Sequence, residues 1–428
     1  MDRFAFHRRA LHPIALTALL ALAACGGGDD GGGGHTPERI DSAGLLALTE
    51  AGQPTVRLLD LDKAAVTHSL KVANAPSDIV ASPGGRYALA VQRLQDQAQV
   101  IDGGLWQEDH GDHLHDYRAE PRLLTGALSG PRPTHYEVKD GTAALFMDGV
   151  ADAQRPAAVQ VLTEASLARV VPDSSFTLPA AVHGTAEPRG SGFMLVSART
   201  DDAPGTLPNA VDLYQRGAGG WTMTQRFDVP CPDLHGSYSN ASYSAFGCSD
   251  GVLVIQQNGS AFTASKIANP PALPAGVRIG TIAGHPKEVR FIGLAAPGHV
   301  FEIDPARSAI TPITWAEGRT RRAHAFDRTG RHFVLLDDTG VTHWLDAQAQ
   351  WRVAKTLPVV AQMPTAAPFP TLLSSRARDT LFVTDVTDVT DVAAKQIAVI
   401  DSQNIAVTQR IGLDFSPNGQ AWLGIAAP

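Results

Sequence analysis

Short runs of apolar and β-branched residues recur along the chain, separated by turns rich in Gly, Pro, Asp and Asn. Tyr87–Val91 (YALAV), Val252–Ile255 (VLVI) and His332–Leu336 (HFVLL) are representative runs. Runs of this length between turn residues are typical of β-strands. Long segments with helical periodicity are nearly absent, so the pattern predicts an all-β protein.

The runs repeat with a period of about 40 to 50 residues, which indicates a repeat architecture. One unit reads ASPGGRYALAV, then QAQVIDGG, then PRLLTG, and another reads AFDRTGRHFVLL, then GVTHWLDA, then WRVAKTLP. Each unit predicts four antiparallel strands, as in one blade of a β-propeller. The inner strands of the blades are predicted to begin near Ser77, His135, His183, His235, His285, His324, Thr371 and Phe415.

These repeats predict a single β-propeller over residues 43–428, with eight four-stranded blades and seven as the alternative. The last unit, FSPNGQAWLGI, ends halfway through a blade, and the strands LLALTEA and VRLLDLD near the start supply the missing half. We expect the N- and C-terminal strands to join and close the ring, because this protects the sheet edges.

The first 25 residues have the pattern of a targeting segment. Arg3, Arg8 and Arg9 precede the apolar run Ile14–Ala24, which is too short to span a bilayer and ends at Cys25. Residues 1–25 are therefore predicted to be a signal peptide with a lipobox, in which Cys25 becomes acylated. Ordinary secretory cleavage is the alternative. Residues 26–42 are glycine-rich and are predicted to form a flexible tether. We expect a periplasmic protein that touches a membrane only through its lipid.

The net charge of the chain makes some classes of binding partner less favourable than others. Loss of residues 1–25 removes three arginines and one aspartate, which changes the net charge from −8 to −10. This balance disfavours nucleic acid and anionic membranes and is compatible with cation binding. Two cysteines then remain, Cys231 and Cys248, and an oxidising compartment favours a disulfide between them. A cysteine-based metal site is the alternative.

Residues 106–117, WQEDHGDHLHDY, concentrate possible metal ligands in one loop. His110, His113 and His115 lie within six positions, and Asp112 lies between them. In an extended segment, residues two positions apart point to the same side, so His113 and His115 can reach one ion. Imidazole and carboxylate are good zinc ligands, but they do not separate zinc from copper(II) or nickel. The alternative interpretation is a polar, solvated loop.

Five histidines begin successive predicted inner strands: His135, His183, His235, His285 and His324. Inner strands line the central channel of a propeller, so this phasing predicts a ring of imidazoles around the axis. His135, His183 and His235 are the strongest candidates. Alternatively, several of these rings bond to the loop backbone where the blades begin.

The elements HGDHLHDY, VHG, CPDLHG and GCSDG together resemble the AztD family of periplasmic zinc metallochaperones. The resemblance implies Zn²⁺ as the cargo and the solute-binding protein of a zinc ABC transporter as the partner. It also implies a zinc site drawn from His110, His113, His115, His135, His183 and His235, without fixing which four share an ion. Family members often carry a histidine-rich N-terminal arm, which is reduced here to His35, and the lipobox is a second departure.

Three functions remain open on the sequence. A non-enzymatic zinc chaperone, expected to be a monomer, would use four protein ligands and leave no lasting open position. A metal-dependent hydrolase or lactonase would need three ligands, a metal-bound water and a general base such as Glu108 or Glu137. In a lipid-anchored interaction scaffold, the histidines would be incidental. The chaperone is the favoured hypothesis.

Overall fold

The computed structural model describes residues 39–427 except 112, 191, 201–206, 390 and 391, with the backbone alone at 387–389 and 392–394. The described residues belong to one unit, Glu38–Pro428. The predicted signal peptide, Cys25 and residues 26–38 of the predicted tether lie outside the described residues, as does Asp112. None of the described helices is long and apolar enough to cross a membrane.

Almost all regular structure is β. The first strands are β1 (Leu45–Glu50), β2 (Thr55–Asp60), β3 (Ala65–Lys71), β4 (Asp78–Ala81), β5 (Tyr87–Gln92), β6 (Gln97–Asp102), β7 (Leu105–Asp109), β8 (Leu114–Arg118), β9 (Arg122–Leu123), β10 (Leu128–Ser129), β11 (Pro133–Lys139), β12 (Thr142–Met147), β13 (Ala158–Leu162), β14 (Ser174–Thr177), β15 (Ala186–Pro188), β16 (Phe193–Ala198), β17 (Ala210–Gly217) and β18 (Gly220–Arg226).

The later strands are β19 (Ser237–Ser239), β20 (Tyr243–Cys248), β21 (Gly251–Asn258), β22 (Ala261–Ala268), β23 (Ile279–Ala283), β24 (Phe291–Ala295), β25 (His299–Asp304), β26 (Ala309–Ile313), β27 (Arg321–Phe326), β28 (His332–Asp337), β29 (Val341–Asp346), β30 (Arg352–Pro358), β31 (Leu372–Ser374), β32 (Thr380–Val389), β33 (Val392–Asp401), β34 (Ala406–Gly412) and β35 (Pro417–Leu423). One α-helical turn, α1 (Glu164–Leu167), and three 3₁₀ turns, Arg93–Gln95, Ala151–Ala153 and Ala347–Ala349, complete the described helices.

The strands form eight antiparallel blades in chain order, which confirms the predicted eight-bladed propeller. Seven blades have four strands, and in blade 2 the outer position is divided between β9 and β10, which both pair with β6. Blade 1 combines the two ends of the chain: β35 is its inner strand and pairs with β1 in the order β3-β2-β1-β35. The expected pairing of the terminal strands is therefore present.

The hydrophobic core lies between neighbouring blades. Strand β5 is buried along its whole length, because both of its faces are covered, whereas the outer strand β3 alternates between exposed and partly buried positions. Leu89 and Val91 of β5, for example, pack in one cluster with Leu145 of β12 in the next blade. Burial of these apolar faces stabilises each blade against its neighbours.

The antiparallel path places different connections on the two faces of the propeller. We call the face where the inner strands begin the upper face, and the face where they end the lower face. Since neighbouring strands run in opposite directions, each turn from the second to the third strand lies at the upper face. Each connection from the third strand to the outer strand lies at the lower face.

The predicted disulfide is present. Cys231 bonds to Cys248 with a sequence separation of 17 residues, and both side chains are fully buried in the core that blades 4 and 5 share. The bond links the connection before β19 to the end of β20. It therefore fastens the segment that leads into the inner strand of blade 5, where His235 lies.

We predict that Trp422→Ala strongly destabilises the fold, because Trp422 is a buried side chain on the strand that joins the two chain ends. Its side chain is 2% exposed and its indole N–H donates to the carbonyl oxygen of Ala43 at 2.9 Å. Removing a buried tryptophan costs about 3–5 kcal/mol. Urea unfolding measures the loss. Met223→Ala on the exposed strand β18 is the control, with an expected change within about 0.5 kcal/mol; equal losses would contradict this role of Trp422.

Candidate metal centre

Three of the predicted channel histidines meet at the upper face. His135 lies on β11, and His183 and His235 lie in the connections that lead into β15 and β19, so neighbouring blades 3, 4 and 5 each contribute one ring. The ring centroids are separated by 4.9 Å for His135–His183, 5.5 Å for His183–His235 and 5.8 Å for His135–His235. We call these residues the triad. One ring nitrogen of each lies within 4.8 Å of the other two, which suits a shared metal ion.

Hydrogen bonds at the far side of two rings orient the nitrogens that face the centre of the triad, where Nε2 of His183 lies 3.4 Å from Nε2 of His135. The Nδ1 of His235 lies 2.8 Å from the carbonyl oxygen of Gly280. Because a carbonyl only accepts, Nδ1 carries the proton and Nε2 keeps its lone pair. The Nδ1 of His183 donates in the same way to Oδ2 of Asp148 at 2.9 Å. Such partners are typical of histidines that bind metals, since they fix the tautomer and the ring orientation.

Asp148 is ionised and accepts hydrogen bonds. Burial favours the neutral acid and acts to raise the pKa of Asp148, but hydrogen bonds from His183 and Arg93 outweigh this effect and leave the pKa below its ordinary value. Asp148 follows β12 in the turn from the second to the third strand of blade 3, at the upper face. It therefore faces His183 from the neighbouring blade as a carboxylate.

The surroundings of His135 favour its neutral form. Burial, and then the nearby His183, lower the pKa of His135 from 6.5 to about 4. The ring is consequently neutral over the whole physiological range. A neutral imidazole has a lone pair on one ring nitrogen, which a metal ligand requires.

The histidine-rich loop forms a separate hairpin. Strands β7 and β8 pair with Glu108 opposite His115, and the turn contains Gly111 with φ +93°, a left-handed conformation that suits glycine. The Nε2 atoms of His113 and His115 lie 2.7 Å apart, and the His110 ring centroid is 4.9 Å from that of His115. These rings converge on the exposed side of the hairpin. The predicted ligand Asp112 lies outside the described residues.

Other polar groups of the hairpin have structural partners. Asp116 accepts from the backbone N–H of Ile40 and from the Gln107 amide, both at 2.7 Å. Oε1 of Glu108 accepts from the indole N–H of Trp106 at 2.8 Å, and its Oε2 lies 3.9 Å from Nε2 of His110. Asp116 thus attaches the hairpin to residues 39–42, while Glu108 lies beside the histidines.

The fold places the triad and the hairpin on opposite faces. The hairpin follows β6, the third strand of blade 2, and so lies at the lower face, whereas the triad lies where the inner strands begin. The seven residues of β11 alone span roughly 20 Å at about 3.3 Å per residue. One ion cannot be shared over this distance. Among the described residues, only the triad brings three possible metal-ligating atoms within 4.8 Å of one another.

The other two histidines of the predicted ring do not join the triad. His285 follows β23, at the lower face, and packs 5.7 Å from Phe326 by ring centroids. The inner strand of blade 6 precedes His285, so the predicted start of this strand was wrong. His324 lies within β27, where its Nδ1 is 3.1 Å from Nη1 of Arg321. Sequence reasoning also missed Asp148 and Gly280, because neither belongs to a metal-ligand motif.

One curated protein is similar to this chain in sequence. The zinc chaperone AztD of Citrobacter koseri is 28% identical over 289 residues, a match that covers 66% of this chain and 64% of the relative. The chain is similar to AztD. This confirms the resemblance that the motifs indicated, although the match spans less than two thirds of the length of AztD. No protein-family model matches the chain.

Solved structures agree with the propeller fold. The crystal structure of Citrobacter koseri AztD has a TM-score of 0.75 at 21% identity, covering 90% of this chain and 98% of that chain, and the apo AztD structure gives the same values. The dihydro-heme d1 dehydrogenase NirN in complex with DHE has a TM-score of 0.57 at 14% identity and covers 91% of this chain and 77% of its own. At these identities the likeness concerns the fold alone.

The lowered pKa of His135 predicts a pH dependence of stability for the metal-free protein. Between pH 6.5 and about 4 the unfolded chain takes up a proton at His135 that the folded protein does not, so the free energy of unfolding decreases as the pH falls through this window. His135→Asn removes this contribution and is expected to flatten the curve. Urea unfolding across the window measures the slope, and NMR titration of His135 locates the midpoint. A midpoint near 6.5 would contradict the prediction.

Proposed function

We propose that this protein is a non-enzymatic zinc metallochaperone outside the cytoplasm, which holds zinc at the triad and passes it to a partner. The proposal rests on the convergence of three imidazoles. The Nδ1 atoms of His183 and His235 already donate hydrogen bonds to acceptors behind the rings. Neutral nitrogen ligands in this number suit zinc. The similarity to a zinc chaperone supports the choice of zinc over copper(II) or nickel.

The triad offers three protein ligands, whereas the sequence-based chaperone hypothesis expects four. Among the described residues, no fourth His, Cys, Asp or Glu joins the group. A tetrahedral zinc ion would therefore have one position open to an incoming ligand. We propose that this position serves transfer: a ligand from the acceptor binds first, and the histidines then leave in turn. The side chain of His183 is 36% exposed, which gives an acceptor access.

The hairpin is proposed as a second zinc-binding group, made of His110, His113 and His115 with Asp112. Its support is the convergence of the His113 and His115 rings on one side of the hairpin. Because the hairpin is exposed and lies on the other face, we propose that it collects or exchanges zinc independently of the triad.

The proposed partner is the solute-binding protein of a zinc ABC transporter. The targeting pattern of residues 1–25 and the similarity to AztD support a periplasmic location. Acylation of Cys25 would tether a monomeric propeller to a membrane, and residues 26–38 would let it reach the partner. The net negative charge of the mature chain argues against nucleic acid as an alternative partner.

The metal-dependent hydrolase remains the second candidate, since three histidines and an open position also describe a catalytic zinc site. Such a site needs an ionised general base. Burial, and then the charge of Glu187, raise the pKa of Glu137 well above its ordinary value, which disfavours the ionised form that a general base needs. Asp148 is bound to His183 and Arg93. Glu108 lies on the opposite face, so the chaperone is the better supported function.

Zinc stoichiometry tests the proposal. We expect the mature protein, purified without chelator, to bind two zinc ions, because the triad and the hairpin are separate. His183→Ala/His235→Ala and His113→Ala/His115→Ala should each remove one ion and leave the fold intact, since these rings lie outside the core clusters. Elemental analysis and competition with a chromogenic chelator measure the zinc, and circular dichroism monitors the fold.

His68→Ala is the matched control, because His68 contacts Glu120 on the surface of blade 1 and is expected to leave both ions bound. Zinc transfer to the purified solute-binding protein, followed by its tryptophan fluorescence, tests the chaperone role. Unchanged zinc in the triad variant would remove the triad from the proposal. Absence of tight zinc in the wild type would favour the scaffold, and hydrolysis of a lactone dependent on His183 would favour the enzyme.

A further inference from the structure

One carboxylate oxygen of Asp148 accepts two hydrogen bonds. Its Oδ2 accepts from Nδ1 of His183 at 2.9 Å and from Nη2 of Arg93 at 2.7 Å. Its other oxygen, Oδ1, is buried and has no hydrogen-bond partner among the described residues, and the residue as a whole is 5% exposed. A carboxylate normally distributes two such donors over its two oxygens. Here the imidazole and the guanidinium share the negative charge of one oxygen, Oδ2.

Arg93 reaches this position from a different blade. It begins the 3₁₀ turn Arg93–Gln95 between the second and third strands of blade 2, at the upper face. Its Nε donates to Oγ1 of Thr134 at 2.9 Å, and Thr134 immediately precedes His135. A single guanidinium therefore contacts the neighbour of one triad histidine and the carboxylate that orients another. Within the described part of the chain, Arg93 forms an ion pair with Asp148 alone. Its positive charge is also near enough to His135 to act on that ring.

We propose that Arg93 is a positioning residue that weakens zinc binding at the triad and so favours release to the acceptor. The inference rests on the proposed zinc chaperone function. A carboxylate that accepts from Nδ1 makes the opposite nitrogen of an imidazole a stronger metal ligand. A guanidinium on the same carboxylate oxygen withdraws part of that negative charge. Its positive charge also repels the bound cation directly.

The two residues therefore act on zinc in opposite directions. Asp148 strengthens His183 as a ligand, and Arg93 offsets this effect. A chaperone has to hold zinc and also lose it to a partner, and this pair adjusts the affinity without altering a ligand. A purely structural role for Arg93, such as fixing the 3₁₀ turn, gives the opposite expectation, because loosening the site would weaken zinc binding.

The test uses the mature chain with His113→Ala/His115→Ala, so that only zinc at the triad is measured. In this background we expect Asp148→Asn to weaken zinc binding by about 10- to 100-fold. Arg93→Gln is expected to tighten it by roughly five- to tenfold and to slow zinc release to a chelator correspondingly. Arg93→Lys keeps the charge and should stay near the parent. Competition titration gives the affinity, and stopped-flow chelation gives the release rate.

Arg155→Gln is the matched control, because Arg155 lies at the upper face but pairs with Asp96 and not with Asp148. Opposite effects of Arg93→Gln and Asp148→Asn, with no change in the control, support the inference. Weaker or unchanged zinc in Arg93→Gln overturns it while leaving the chaperone function standing. Equal tightening in Arg155→Gln also overturns it, because general surface charge would then be the cause. Absence of zinc in the parent overturns both the inference and the proposed function.

Discussion

The antiparallel path of each blade is the constraint on which the rest of the structure depends. It brings the beginning of every inner strand to one face and the connection after every third strand to the other. Residues some 50 positions apart, such as His135, His183 and His235, become neighbours because each occupies nearly the same place in its own repeat. The same path carries the histidine hairpin after β6 to the opposite face.

The interblade core makes this arrangement rigid. The described side chains on the second strand of each blade are almost all buried, so the blades cannot shift without opening a cavity. Rings that project from this framework need little reorganisation when an ion binds. The disulfide between Cys231 and Cys248 adds a covalent constraint beside His235, in the segment where the chain enters blade 5.

Hydrogen bonds behind the rings connect the triad to its surroundings. His235 is oriented by a backbone carbonyl, which carries no net charge, whereas His183 is oriented by a carboxylate that Arg93 also binds. At the proposed zinc site, two histidine ligands would thus differ in strength. This difference is useful to a protein whose proposed task is transfer, because ligands of unequal strength can be displaced one after another.

The sequence by itself determined the all-β class, the eight repeats, the joining of the chain ends and the disulfide, since strand periodicity, turn residues and an isolated cysteine pair are local or nearly local signals. It also indicated the three triad histidines, because equal phase in successive repeats places side chains at the same height along the channel. Only the tertiary structure decided that His285 and His324 lie elsewhere, since a shift of a few residues moves a side chain along the channel or to the other face. It alone separated the hairpin from the triad and brought Asp148, Gly280 and Arg93 to the rings, because these contacts join different blades and leave no pattern along the chain.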